Sequence, residues 1–220
     1  KWILSDFIGI GGWNNKDVVL LKADGKGEMV NLTESGYSDT NAKWVLGGKA
    51  MIWNSDRSGY RSHGSWGSES DTYIMFFDVD AYNRFTMSKE DLALLEEAEK
   101  TEKEEKAKKE KEKAEKKKDK KDAKTKDTKK EEDKKKEEVK PLTFDLENRF
   151  ARSVRLKVNS SRLSDAVLTP KGDVLYYLAA FEGDYDLWEH KLKENTTKIL
   201  LKGVGGAAVI PDKEGKNIFI

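Results

Sequence analysis

Short apolar runs separated by turn-forming residues fill most of this chain, and they recur in a fixed order. Asp17-Val18-Val19-Leu20-Leu21-Lys22 leads through Ala23-Asp24-Gly25-Lys26-Gly27 into Met29-Val30-Asn31-Leu32-Thr33. Asp186-Leu187-Trp188-Glu189-His190-Lys191 leads in the same way through Leu192-Lys193-Glu194-Asn195-Thr196 into Lys198-Ile199-Leu200-Leu201. Asp71-Thr72-Tyr73-Ile74-Met75-Phe76-Phe77-Asp78 opens a third copy. Each copy is an Asp, an apolar strand, a polar hairpin and a second apolar strand. A further hairpin precedes each. Ala166-Val167-Leu168 turns through Thr169-Pro170-Lys171-Gly172-Asp173 into Val174-Leu175-Tyr176-Tyr177-Leu178, with Pro presetting one corner and Gly supplying the left-handed residue. Lys43-Trp44-Val45-Leu46 and Ala50-Met51-Ile52-Trp53-Asn54 flank Gly47-Gly48-Lys49 on the same plan, and Ala207-Ala208-Val209-Ile210 precedes Asn217-Ile218-Phe219-Ile220 across a turn at Pro211.

The predicted unit is four antiparallel strands, A to D, in roughly 45 residues, the size of a propeller blade. Residues 1–36 supply a partial blade and residues 37–158 a blade interrupted by an insertion at about 88–140. Residues 159–203 supply another blade, and residues 204–220 begin a further one. Closing the last strands onto the first would give about three blades, where propellers use about four to eight. The expected fold is therefore all-β, a partial β-propeller of four-stranded antiparallel blades with a long charged insertion. Lys1-Trp2-Ile3-Leu4-Ser5 and Asn217-Ile218-Phe219-Ile220 both read as strand interiors, so a piece of a longer protein is expected.

Charge changes the picture only in the insertion. The chain has 42 Lys and Arg against 41 Asp and Glu, and 37 of the 45 residues at 96–140 are charged. The remaining residues have ordinary globular composition and carry all six Trp, enough to build a core. Glu96–Lys100, Glu99–Lys103, Glu102–Lys106, Glu104–Lys108 and Glu105–Lys109 are spaced to support a solvated helix, expected from Lys89 to about Lys118, with fraying from Lys117 onward. No apolar heptad accompanies it, which argues against a coiled coil. The net charge of +1 argues against a nucleic-acid partner. No apolar run is long enough for a membrane span, and the absence of Cys removes thiolate metal sites.

Thr169-Pro170-Lys171-Gly172 before a Tyr-Tyr strand, followed by Gly183-Asp184-Tyr185-Asp186-Leu187-Trp188, resembles the blade motif of TolB-like and tricorn propellers. The segment from Asn54 to Asp71 resembles a loop of the bacterial tricorn-like proteases, in which a Lys/Glu-rich insertion also follows the next strand. Val154-Arg155-Leu156-Lys157-Val158-Asn159-Ser160-Ser161 resembles the strand after that insertion. Lys171 in place of the usual turn Asp, and the shortened turn Gly47-Gly48-Lys49, depart from the pattern. The resemblance implies a serine endopeptidase with N-terminal propellers, a PDZ domain and a C-terminal processing-peptidase-like core, exported to the periplasm or beyond. It implies a peptide or protein substrate, partnership with the PDZ domain and protease core of the same parent protein, and no cofactor; it leaves a homo-oligomer open. Nothing here matches the core, so this chain is expected to carry no catalytic residue and to act as a substrate-handling or gating scaffold. A non-enzymatic TolB-like protein-binding propeller and the propeller of a prolyl-oligopeptidase-like hydrolase stand as alternatives.

Two features have candidate chemistry. The loop with Arg57, Tyr60, Arg61, His63 and Trp66 mixes cations, aromatics and hydroxyls suited to gripping a peptide backbone or carboxylate. The competing expectation is that a long loop fixes itself with its own side chains. His190 alternates with Glu189 along a strand and reads as a surface or inter-blade residue, with no second ligand at metal spacing.

Overall fold

The structure, a computed structural model, describes residues 1–9, 15–62, 67–118, 141–157, 159–206, 208–212 and 215–220, with 109–118 as helix backbone alone. Four antiparallel sheets follow one another along the chain. The first pairs β1 (Trp2–Ile8), β2 (Lys16–Lys22) and β3 (Val30–Asn31); the second runs β4 (Asp39–Val45), β5 (Ala50–Ser55), β6 (Asp71–Phe76), β7 (Ser153–Arg155). The third runs β8 (Arg162–Leu168), β9 (Val174–Ala180), β10 (Asp186–Lys191), β11 (Thr196–Leu201), and β12 (Ile210–Pro211) pairs with β13 (Ile218–Phe219). This is a partial propeller: strands B to D of one blade, two full blades, and strands A and B of the next.

Strand periodicity explains why the middle blade is buried on both faces. In β5 and β6, Ala50, Ile52, Ile74 and Phe76 point one way, into a core shared with Ala166, Leu168, Leu175, Tyr177 and Ala179 of the next blade. The alternate residues Met51, Trp53, Tyr73 and Met75 point the other way and, with Phe77, meet Val18, Leu20 and Leu32 of the preceding blade. A third core joins Val167, Leu178 and Leu187 to Val209.

The Asp that opens each strand C has a recurring structural role. Asp17 accepts from Asn31 Nδ2 at 2.8 Å, Thr33 Oγ1 at 3.2 Å and the Ser35 N–H at 2.8 Å. Asp71 accepts from Ser160 Oγ at 2.7 Å, and Asp186 from the Gly203 N–H at 2.8 Å. In each blade the carboxylate ties the start of strand C to the chain leaving strand D, satisfying polar groups that the irregular link cannot pair by itself.

Contacts divide the chain into two units, Lys1–Phe85 with Leu142–Ile220, and Thr86–Pro141. In the first unit the chain leaves β6 into a short helix that the strand pattern did not predict, α1 (Val79–Thr86). Asp78 caps it by accepting from the Ala81 N–H at 2.7 Å, and Phe76 makes ring contacts with Tyr82 and Phe85 at 5.6 and 5.0 Å between centroids. The second unit is dominated by α2 (Lys89–Lys118), the expected solvated helix. Ser88 Oγ accepts from the Asp91 N–H at 3.1 Å and donates to the Asp91 carboxylate at 2.8 Å, a capping arrangement at its start. The fraying expected from Lys117 onward does not reach Lys117 and Lys118, which are helical, and otherwise lies outside the described residues. Several strands differ in extent from the sequence pattern: β3, β7 and β13 are shorter, with β7 ending at Arg155, and Pro211 belongs to β12 rather than to the turn.

Candidate functional site

The first strands of successive blades converge, and a cavity of about 610 Å³ lies against β4, β8 and the approach to β12. Both full blades carry a bulge at this wall, between Thr40 and Lys43 in β4 and between Leu163 and Asp165 in β8. A bulge inserts unpaired residues and redirects side chains. Asn41, in the first bulge, takes a left-handed φ of 57°, which Asn tolerates better than most residues.

The redirected groups form a relay from blade to blade. The Asn41 N–H donates to Asp6 of β1 at 3.2 Å, while its side-chain amide donates to Asp165 at 2.8 Å. Asp165 in turn accepts from the Val209 N–H at 2.9 Å and forms an ion pair with Lys43. Burial by itself would raise the Asp165 carboxyl, but Lys43, the Val209 amide and Asn41 outweigh it and hold it below the usual range. The wall thus presents fixed charges of both signs beside hydroxyls and amides from Thr40, Asn54, Ser70 and Ser164. Ser70 exchanges backbone hydrogen bonds with Ser161 at 2.8 and 3.3 Å, so the cavity opens where the loop between strands B and C meets the link between blades.

Of the residues singled out in that loop, none described lines the cavity. Arg57 donates through Nη2 to both carboxylate oxygens of Asp39 at 3.1 and 3.0 Å, and its guanidinium sits 5.0 Å from the Tyr73 ring centroid. Arg61 pairs with Asp56 at 3.0 Å, and both guanidiniums lie over Tyr37. Tyr60 is exposed. The structure brings Arg57 and Arg61 together in a network that fixes the loop itself; His63 and Trp66 lie outside the described residues.

A second polar cluster lies between the two full blades. Asp71 pairs with Arg155 at 3.0 Å and lies 3.8 Å from Lys157, whose ammonium donates to the Asn159 carbonyl at 3.0 Å and to Ser161 Oγ at 2.8 Å. Burial is the main cause that pulls the Lys157 ammonium down to about 8, and burial likewise pushes Tyr177 beneath it up to about 12. Ser161 beside a lysine of that kind has the composition of a nucleophile and base, but Ser161 is 1% exposed and admits no substrate. His190, read as a surface or inter-blade residue, is buried, with Nδ1 bonded to Thr197 at 2.7 Å. Among the described residues there is no cluster of three or more potential metal ligands, and no helix is long and apolar enough to cross a membrane.

Sequence reasoning passed over Asn41, Lys43 and Asp165. Their available signal was a run of polar residues at the inner start of strand A, where Asn and Asp disfavour regular strand.

No family model and no curated protein matches the chain. Among solved structures it is similar to TolB from Acinetobacter baumannii, with a TM-score of 0.53 and 13% identity, over 99% of this chain and 34% of that one. It is similar also to the tricorn protease, with a TM-score of 0.54 and 8% identity, over 99% of this chain and 18% of that one. The chain therefore spans about a third of the one and less than a fifth of the other. Likeness at such identities carries the fold: this chain is built as part of a β-propeller.

Proposed function

We propose that this chain is a polypeptide-binding propeller segment of an exported, tricorn-like serine protease, handling substrate for a peptidase core outside the chain. The observation that carries the reading is the cavity wall built from the inner strands of successive blades, with bulged backbone, a fixed ion pair and neutral donors and acceptors. Such a surface suits an extended backbone with mixed side chains, since it offers hydrogen bonds of both senses without a dominant charge. The departure of a charged insertion between strands C and D, and the loop from Asn54 to Asp71, favour the tricorn-like assignment over a TolB-like binding protein.

Fluorescence anisotropy of a labelled, denatured casein tests the binding. Saturable binding is expected, weakened about tenfold or more by Thr40→Trp, which fills the cavity from a half-buried position. The complete gene product should hydrolyse casein, inhibited by a serine-directed reagent, and Thr40→Trp should raise KM with little change in kcat. Binding without hydrolysis by the complete product would refute the peptidase assignment and leave the binding propeller; absence of binding would refute both.

A further inference from the structure

One arginine beside the inner-strand cavity differs from its counterparts elsewhere in the fold. Arg57 is spent on Asp39, Arg61 on Asp56, Arg149 on Glu34, Arg152 on Asp145 and Arg155 on Asp71. Arg162, exposed at the start of β8, makes neither an ion pair nor a side-chain hydrogen bond among the described residues. Its guanidinium lies over the Tyr185 ring, 5.8 Å from the centroid. Glu182 and Asp184, exposed on the loop before that ring, leave it unpaired.

This cation belongs to the edge of the cavity. Leu163 and Ser164, the next two residues of β8, line the cavity, and Ala208 and Val209 line it from the next blade. Ser164 Oγ donates to the Gly206 carbonyl at 2.7 Å. A Cβ on Gly206 would stand 2.5 Å from Tyr185 Cδ2, so it is glycine that lets the link pass against the ring. On the same link Gly205 has a φ of 80°, with nothing within 4 Å of where a side chain would stand. The N–H groups of Gly205 and Gly206 have no acceptor among the described residues.

The groups that meet at this edge are donors without a countercharge. The ring covers one face of the guanidinium and leaves its planar fork to solvent, the arrangement that binds a carboxylate through two N–H groups. Successive backbone N–H groups beside a left-handed residue can close on the same anion. Lys43, the cation of the wall itself, is already committed to Asp165 and to the Ala166 carbonyl.

We propose that this edge takes a carboxylate carried by the polypeptide on the inner-strand wall, so that the segment selects acidic chains. The proposal rests on the reading of that wall as a polypeptide-binding surface and adds the charge that it prefers. Two sources offer the group, an Asp or Glu side chain within the bound chain and a terminal carboxylate.

Fluorescence anisotropy of the full chain with short labelled peptides tests it. Three peptides are C-terminal amides with Glu, Gln or Lys at the centre, and a fourth has the Gln sequence with a free C-terminus. The Glu amide, the free acid or both should bind about fivefold tighter than the Gln amide, the gain of a well-placed exposed charge pair, and the Lys amide no tighter. An advantage of the Glu amide marks a side chain as the source, and an advantage of the free acid marks a terminus. Arg162→Gln should remove that advantage at an unchanged Tm, since no ion pair within the fold is lost, and Arg162→Lys should keep part of it. A carboxylate preference that survives Arg162→Gln overturns the proposal. Binding with no preference for a carboxylate overturns it and leaves the reading of the wall standing, whereas absence of binding by every peptide overturns both.

Discussion

Lys157 makes the stability of the blade interface depend on pH in a direction opposite to that of a surface lysine gaining a partner. Its folded pKa of about 8 lies below the ordinary 10.5, because burial penalises the ammonium more than Asp71 favours it, with Arg155 adding repulsion. Between those two values the unfolded chain binds the proton that the folded chain has released, so stability rises with pH. The full effect is about 3 kcal/mol, and about 2 kcal/mol of it falls between pH 7.5 and 10. Tyr177, pushed up to about 12 by burial, acts in the reverse sense. Above pH 10 the unfolded phenol loses its proton first and stability falls again. Urea denaturation at half-unit steps should therefore show stability climbing from pH 7.5 to a maximum near 10 and declining beyond. Lys193, also lowered by burial, adds to the rise with the same sign, so the difference between wild type and Lys157→Met isolates the contribution of Lys157. The variant should start less stable at pH 7.5, where Asp71 keeps only Arg155 as a charged partner, and should lack most of the climb. A flat or falling profile between pH 7.5 and 10 in the wild type, or an equal climb in Lys157→Met, would refute the reasoning.

The strand-C aspartates should be unequal despite their common position. Asp17→Ala strands three donors, all on buried or half-buried groups, and should cost about 3 kcal/mol by urea midpoint, whereas Asp186→Ala loses an exposed contact to Gly203 and should cost under about 1 kcal/mol. Comparable losses at the two positions would show that the links do not depend on these acceptors. Deletion of residues 96–140 should remove most of the helical circular dichroism while shifting the Tm of the strand unit by less than about 2 °C, because the first unit has its cores among its own residues. A larger drop in Tm would mean that the insertion supports the blades.

The repeat was legible because its physics is local. A strand buried on both faces, such as β5 or β6, reads as a continuous apolar run, Ala50–Trp53 and Tyr73–Phe76, with polar residues only at one end, and the turn at Thr169–Asp173 needs Pro and Gly where the sequence has them. The solvated helix was legible for the same reason, since its Glu and Lys pairs act within one turn. Helix α1 was not, because its eight residues have no strong propensity of their own and are held by Phe76, a residue of the strand before them. The candidate sites were legible least. Arg57 and Arg61 stand in a loop whose cations, aromatics and hydroxyls suit a peptide, but which of them the loop spends on itself depends on Asp39 and Asp56, whose positions are set by the fold. Asn41 and Asp165 are 124 residues apart, and what joins them is the bulge in each inner strand, a backbone irregularity with no strict sequence signature. The same holds for Arg162 and Gly206, which share one edge only because the link between blades returns against Tyr185. In a propeller the blade is written in each repeat, whereas its sites are written across repeats, in the polar residues that interrupt the pattern; those interruptions are the positions where substitution should change binding before it changes the fold.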